Sequence, residues 1–279
     1  MFQIRNMTPE DFAFAVQITD QMSWGLTEED FEFMIELEPE GSFVLLDGSG
    51  KIGIATTVGF GKVGWFGNLV VSEKRRKEGA GSTLVKHAIE YLAGKKVETI
   101  GLYAYMERIP FYEKLGFQFD SEFIVLKGTV PSLQIKPSLK RAEKQDINKI
   151  IDYDNSCFGA SRKKLLELIL SDPDNLCYTD IEGGKISGYA EAKVYRGVAE
   201  LGPLTCQQGR GDVAINLLRT TLGKLKGREV SMCIAEKENS IVNMLKESEF
   251  SESFRVARMF LGKPVGGNCI YVAESLERG

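Results

Sequence analysis

The segment Asn68-Leu69-Val70-Val71-Ser72-Glu73-Lys74-Arg75-Arg76-Lys77-Glu78-Gly79-Ala80-Gly81-Ser82 joins an apolar run to a basic turn with two glycines. Leu84, Val85, Ala88, Ile89 and Leu92 follow at helical spacing, so a strand delivers the chain to a turn and a helix begins at once. The first N–H groups of such a helix have no internal acceptor, and its dipole is positive at that end. Glycine lets the backbone approach a ligand without a Cβ in the way. With Arg75, Arg76 and Lys77 beside it, this is the pattern of a phosphate or pyrophosphate site. The bland reading is a glycine-softened turn with solvated basic residues. Gly81 is followed by Ser82-Thr83, so the Gly-Lys-Ser/Thr ending of a P-loop is missing, and so is G-x-G-x-x-G.

Working outward, Thr8-Pro9-Glu10-Asp11 reads as a helix start, with Phe12, Ala15, Val16 and Thr19 at helical spacing. Thr27 and Asp30 suggest a capping box ahead of Phe31, Met34 and Ile35, although Asp is shorter than the usual Glu. Ser42 to Leu46 and Lys51 to Phe60 read as strands around Asp47-Gly48-Ser49-Gly50, and Val63 to Val71 as a third. Downstream, Val97 to Tyr103 is strand-like, Pro110 opens a short helix and Gly116 can end it. Two short strands, around Phe117 to Phe119 and Phe123 to Leu126, are expected to complete the unit.

At 279 residues the chain exceeds what one core usually organises. A net charge of -4 argues against a broad nucleic-acid footprint. No apolar run approaches the roughly 20 residues of a membrane span, and Met1-Phe2-Gln3-Ile4-Arg5 lacks a signal-peptide pattern. Five cysteines lie widely spaced in the second half with no C-x-x-C pair, which predicts reduced thiols in a cytoplasmic protein rather than a disulfide framework. A single histidine, His87, disfavours histidine-based hydrolases and multi-histidine metal centres, so no metal is expected.

Gly128, Pro131, Ser132, Pro137 and Ser138 mark 129–138 as the candidate linker between units 1–128 and 139–279. Ile4 to Phe12 can be laid on Leu139 to Ile147, and Phe111 to Phe117 on Met244 to Phe250, at an offset of roughly 133 to 135 residues. The constant offset favours a duplicated unit.

Arg76-x-x-Gly79-x-Gly81 after an apolar strand, with Pro110-Phe111-Tyr112-Glu113-Lys114-Leu115-Gly116-Phe117 downstream, resembles the Q/R-x-x-G-x-G/A and F-Y-x-x-x-G-F signatures of the GNAT N-acetyltransferases. The resemblance covers residues 1 to about 127; the second half shares the outline only. It implies an α/β (α+β) fold of two tandem acyl-CoA N-acyltransferase-like domains, each a mixed, mostly antiparallel sheet flanked by helices. It also implies acetyl-CoA as acyl donor, with the amides from Arg76 through Lys77, Glu78, Gly79, Ala80 and Gly81 to Ser82 holding the pyrophosphate. Pantetheine would lie along Leu69, Val70 and Val71, and a backbone N–H of Leu69 or Val70 would face the thioester carbonyl. Tyr112 would protonate the departing thiolate after direct attack by a primary amine. The alternative is a CoA-binding protein without turnover.

Many relatives carry a glutamate on the strand leading into the motif, but Trp65-Phe66-Gly67-Asn68 offers no carboxylate. Asp20, Glu28, Glu29, Asp30 and Glu107 are the candidate bases, or a water relay. In the second half Gln208-x-x-Gly211-x-Val213, with Asp212 and Pro203, departs from the signature, and Met244 and Leu245 replace the tyrosine. This half is expected to be degenerate, either covering the first and shaping the acceptor pocket, with Glu200 a conceivable amine contact, or giving structural support alone. The expected partner is a small-molecule amine, with no nucleic acid and no membrane. The sequence leaves open which amine, the length of the acyl chain and the oligomeric state.

Overall fold

The computed structural model describes residues 2–130, 139–195 and 197–279. The first half runs β1 (Gln3–Asn6), α1 (Phe12–Asp20), α2 (Glu28–Leu37), β2 (Ser42–Asp47), β3 (Gly50–Phe60), β4 (Val63–Val71), α3 (Ala80–Gly94), β5 (Thr99–Tyr105), α4 (Ile109–Glu113) and β6 (Gln118–Thr129). The second repeats it: β7 (Lys140–Arg141), α5 (Ile147–Phe158), α6 (Lys163–Ser171), β8 (Leu176–Glu182), β9 (Lys185–Val194), β10 (Val198–Gln207), α7 (Gly211–Leu222), β11 (Glu229–Ala235), α8 (Asn239–Glu247), β12 (Ser251–Leu261) and β13 (Cys269–Val272).

Local signals set the matching boundaries. Thr8 N–H donates to Asp11 Oδ2 at 2.9 Å, and Glu143 N–H to Asp146 Oδ2 at 3.1 Å, so both halves enter their first helix through the same reciprocal cap. Thr27 N–H donates to Asp30 Oδ2 at 2.8 Å, so the shorter aspartate does close the box before α2.

Among the described residues, thirteen strands form one sheet, in the order β1-β2-β3-β4-β5-β12-β6-β11-β13-β10-β9-β8-β7. The halves exchange strands at its middle. β12 lies between β5 and β6, antiparallel to both, while β6 also pairs with β11 from Phe123 to Thr129. The expectation of two short strands at the end of the first unit is therefore corrected. Residues 118–129 are one continuous strand, and the missing neighbour comes from the other half. Asp120, Ser121 and Glu122 interrupt the apolar alternation there, but Arg258 Nε donates to Asp120 Oδ2 at 2.8 Å and Arg255 pairs with Glu122, both arginines being on β12. Partnered carboxylates let the strand run on.

Of the expected linker, residues 131–138 lie outside the described residues. Thr129 ends β6, and Val130 N–H donates to Arg228 O at 3.0 Å. A core shared by the halves packs Val58, Phe60 and Trp65 with Phe158, Leu165 and Tyr271. Cys157 at the end of α5 and Cys269 of β13 form a disulfide with Cα atoms 5.7 Å apart, correcting the reading of all five cysteines as free thiols; Cys177, Cys206 and Cys233 are free and buried. The pairing spans 112 residues and is made by the tertiary fold, which no sequence spacing displays. Among the described residues no helix is long and apolar enough to cross a membrane.

Glu191 of β9 is fully buried, and neither carboxyl oxygen has a hydrogen-bond partner. Desolvation pushes its pKa well above the ordinary 4.5, against the pull of Lys193. The folded chain therefore holds this proton to higher pH than the unfolded chain, which ionises the carboxyl above about pH 4.5. Stability linked to Glu191 is full below that pH and falls as pH rises toward the folded pKa. Glu191→Gln is expected to raise Tm at pH 7 to 8, with the gain fading below about pH 4.5, in thermal melts of both proteins across pH.

Candidate active site

β4 and β5 run parallel and pair only at Val63↔Thr99, Gly64↔Ile100 and Trp65↔Gly101. Beyond Trp65 they part. β4 stays with β3, and β5 follows β12 through Leu102↔Met259 to Tyr105↔Val256. A wedge opens between residues 66–71 and 102–105, with unpaired strand edges facing it. A bulge helps to turn β4 away: the pairing with β3 slips between Thr56↔Gly67 and Ile54↔Val70, leaving Asn68 and Leu69 over. Asn68 takes a left-handed φ of 50°, and its side-chain amide donates to Thr56 Oγ1 at 3.2 Å.

At the mouth of the wedge the chain turns through Lys77 and Gly79, both left-handed at φ 67° and 88°. Thr83 N–H makes the first α3 bond, to Gly79 O at 2.9 Å, so the N–H groups of Ala80, Gly81 and Ser82 precede the helical ladder. A Cβ on Gly79 would meet nothing within 4 Å; one on Gly81 would rest on the Phe111 ring at 3.5 Å. Such a turn can cradle an anion. Arg76 is clamped by Nε to Val71 O at 3.1 Å. Arg75 is taken up by Asp47 and, at 3.1 Å, by Glu78, so its charge is neutralised outside the cradle.

Leu69, Val70, Val71, Arg76, Lys77, Gly79, Gly81, Ser82 and Tyr112 line one cavity of about 2400 Å³. Ala80 is instead buried in the core beneath α3, and Glu78 turns to Arg75. Small-ligand sites usually occupy about 300–1,000 Å³. The extra room spans both halves, since Glu200, Arg228 and Phe254 share the lining. Tyr112 is buried on α4 against Phe111 and Phe117. Burial pushes its hydroxyl pKa above the ordinary phenol value, with Arg108 pulling weakly the other way.

Of the acidic candidates, Glu29 and Asp30 reach the cavity, Asp30 while capping α2; Asp20, Glu28 and Glu107 do not. His87 packs edge-on against Phe43, ring centres 4.6 Å apart, away from the wedge. Tyr103 and Tyr105 project from β5 into the cavity, and Tyr105 OH accepts a bond from Trp24 Nε1 at 2.8 Å. Tyr103 OH is buried without a hydrogen-bond partner.

The second half starts the same wedge and closes it. β10 and β11 pair in parallel from Val198↔Glu229 to Glu200↔Ser231, and a bulge at Gly202-Pro203 turns β10 away. β13 enters the gap, pairing with β10 from Leu204↔Val272 to Gln207↔Cys269 and with β11 at Ile234↔Val272. The slot that stands open in the first half is filled by the chain's own strand. Asp212 lies in the first turn of α7, bound to Arg210 at 3.2 Å, and Val213 is buried in the core.

The segment after β13, residues 274–279, runs beneath the first wedge, and the sequence reading did not single it out. Trp65 Nε1 donates to Leu276 O at 3.3 Å, and Leu276, Glu277 and Arg278 line the cavity. The available signal was Gly67, a glycine inside a strand, which can mark a close backbone approach.

The GNAT acetyltransferase family model matches residues 5–117, and an acetyltransferase (GNAT) domain model matches residues 150–268. Among solved structures, a putative acetyltransferase from Pyrococcus horikoshii superposes with a TM-score of 0.82 at 23% identity, over 100% of this chain and 96% of that one. A GCN5-related N-acetyltransferase from Sphaerobacter thermophilus gives 0.70 at 18% identity, over 95% and 98%. A tandem GNAT protein from the clavulanic acid biosynthesis pathway gives 0.63 at 13% identity, over 96% and 99%. A search of curated protein sequences finds no match.

Proposed function

Since the chain is built of two GNAT acetyltransferase domains in tandem, we propose that it is an acetyl-CoA-dependent N-acetyltransferase with one donor site, in residues 1–128, and that residues 139–279 shape the pocket for a small primary amine. The observation that carries this reading is the juxtaposition of an open β4–β5 wedge with the free N-terminus of α3. The cradle suits a pyrophosphate: unpaired N–H groups of residues 80–82, left-handed turns at Lys77 and Gly79, and Arg76 and Lys77 at its rim. The unpaired edge of β4 at residues 69–71 suits the amides of a pantetheine arm, which bond as an added strand does. A backbone N–H at the Asn68-Leu69 bulge polarises the thioester carbonyl, and Tyr112 donates a proton to the departing thiolate.

The second half offers no such slot, because β13 occupies it, pairing along β10 and bridging β11 at Ile234. Titration calorimetry of the purified chain with acetyl-CoA is expected to give one site per chain. Two sites would contradict the closed second wedge, and no binding at millimolar acetyl-CoA would overturn the transferase reading.

A further inference from the structure

β4 carries no carboxylate near the wedge, and the fold supplies one from elsewhere. A Cβ built on Gly67 would lie 2.4 Å from Glu277 Cβ and 2.5 Å from Glu277 Cα. Only a glycine allows this approach, so Glu277 stands over β4 where a residue-67 side chain would stand. Gly67 immediately precedes the Asn68-Leu69 bulge, and both Gly67 and Glu277 line the cavity. The segment is anchored on several sides. Arg162, fully buried and bound to Asp154 at 2.7 Å, donates to Gly279 O at 2.6 Å. Arg278 bonds Glu274 at 2.9 Å and stacks over Phe33 of α2. Such fixing is what a positioned acid–base group requires.

Resting on the acetyltransferase reading above, we propose that Glu277 of the second half is the carboxylate of the first half's acceptor site, receiving a primary ammonium group and taking its proton. The ammonium gives one proton to Glu277, and the freed lone pair attacks the thioester carbon. A C–N bond forms and the C–S bond breaks. Tyr112 protonates the thiolate, and the second proton lost from nitrogen restores the tyrosine through solvent. Glu277 then releases its proton to water.

The groups facing Glu277 suit this task. Arg278 Nη1 lies 2.6 Å from Glu277 Oε1, and Lys193 of β9, Glu200 of β10 and Glu274 complete the charged surroundings; Trp65 and Gly67 of β4 carry no charge, and Tyr103 of β5 is a buried phenol. Desolvation, with Glu200 and Glu274, raises the Glu277 pKa against the pull of Arg278 and Lys193. Trp24, Tyr103, Tyr105 and Phe254 wall the same cavity, so the amine that fits carries an apolar or aromatic body.

The test uses the full chain, acetyl-CoA and a panel of phenethylamine, tyramine, spermidine and lysine methyl ester, with thiol release followed from pH 6 to 9. Wild type is expected to exceed Glu277→Gln by about 100-fold in kcat on its best amine. The acidic limb of the profile should vanish in Glu277→Gln and partly return in Glu277→Asp. Acetyl-CoA affinity by calorimetry should be the same in all three, which separates this role from folding. If no amine on the panel is turned over faster by wild type than by Glu277→Gln, the proposal is overturned. Wild type that fails to bind acetyl-CoA would bring down the transferase reading instead.

Discussion

Gly79→Val is expected to abolish measurable acetyl-CoA binding, a loss of at least about 100-fold or roughly 2.7 kcal/mol. Two effects act together. Gly79 holds φ at 88°, a conformation that a β-branched residue adopts only with strain. The space a side chain would enter is open, with nothing within 4 Å, and that space is where the cradle would receive a phosphate. No protein atom is displaced, so the strain stays local to the turn: circular dichroism should be unchanged, and stability should fall only by what the left-handed φ costs a branched residue, about 1–3 kcal/mol. Gly81→Ala is the graded comparison. Its Cβ would touch only the Phe111 ring at 3.5 Å, an ordinary contact, so binding should fall by less than about tenfold. Gly211→Ala, in the corresponding turn of the second half, should leave binding unchanged, since β13 already closes that wedge. Calorimetry in which Gly79→Val binds like wild type would move the donor site away from α3.

What the sequence made legible was local. The caps at Thr8/Asp11 and Thr27/Asp30, the glycine turn before α3 and the end of α4 at Gly116 each depend on residues within a few positions of one another. The duplication was visible for the same reason, because Glu143/Asp146 repeats the first cap. The exchange of β6 and β12 was not. It rests on the ladders and apolar contacts that β12 makes with β5 and β6, and the residues that partner Asp120 and Glu122, Arg258 and Arg255, lie more than a hundred residues downstream. The β13 plug and the Cys157–Cys269 link are long-range in the same sense. Departures at Asp212, Val213 and Pro203 marked the second half as altered, but only the fold explains how its slot is closed. The candidate site was legible along β4 and α3, where the ligand would meet backbone, and illegible at Glu277, which reaches β4 across the whole chain.

Tyr112→Phe is expected to lower kcat by about 10²- to 10⁴-fold while changing acetyl-CoA affinity by less than about threefold. If Tyr112 is the proposed acid, its hydroxyl would serve only in the departure of the thiolate, so its loss would remove stabilisation from the transition state and little from the bound ground state. Burial raises the Tyr112 pKa, which keeps the phenol protonated, and therefore able to donate, across the neutral and mildly alkaline range. The sign follows: no loss of rate due to Tyr112 ionisation should be seen up to about pH 10, the ordinary phenol value. Phe keeps the ring contacts with Phe111 and Phe117, so Tm should move little and a fall in kcat cannot be assigned to unfolding. Steady-state kinetics with the best amine of the panel, beside calorimetry with acetyl-CoA, separates the outcomes. Equal losses in kcat and donor affinity would make Tyr112 a packing residue of α4, and an unchanged kcat would leave the thiolate to be protonated by solvent entering the wide cavity between the halves.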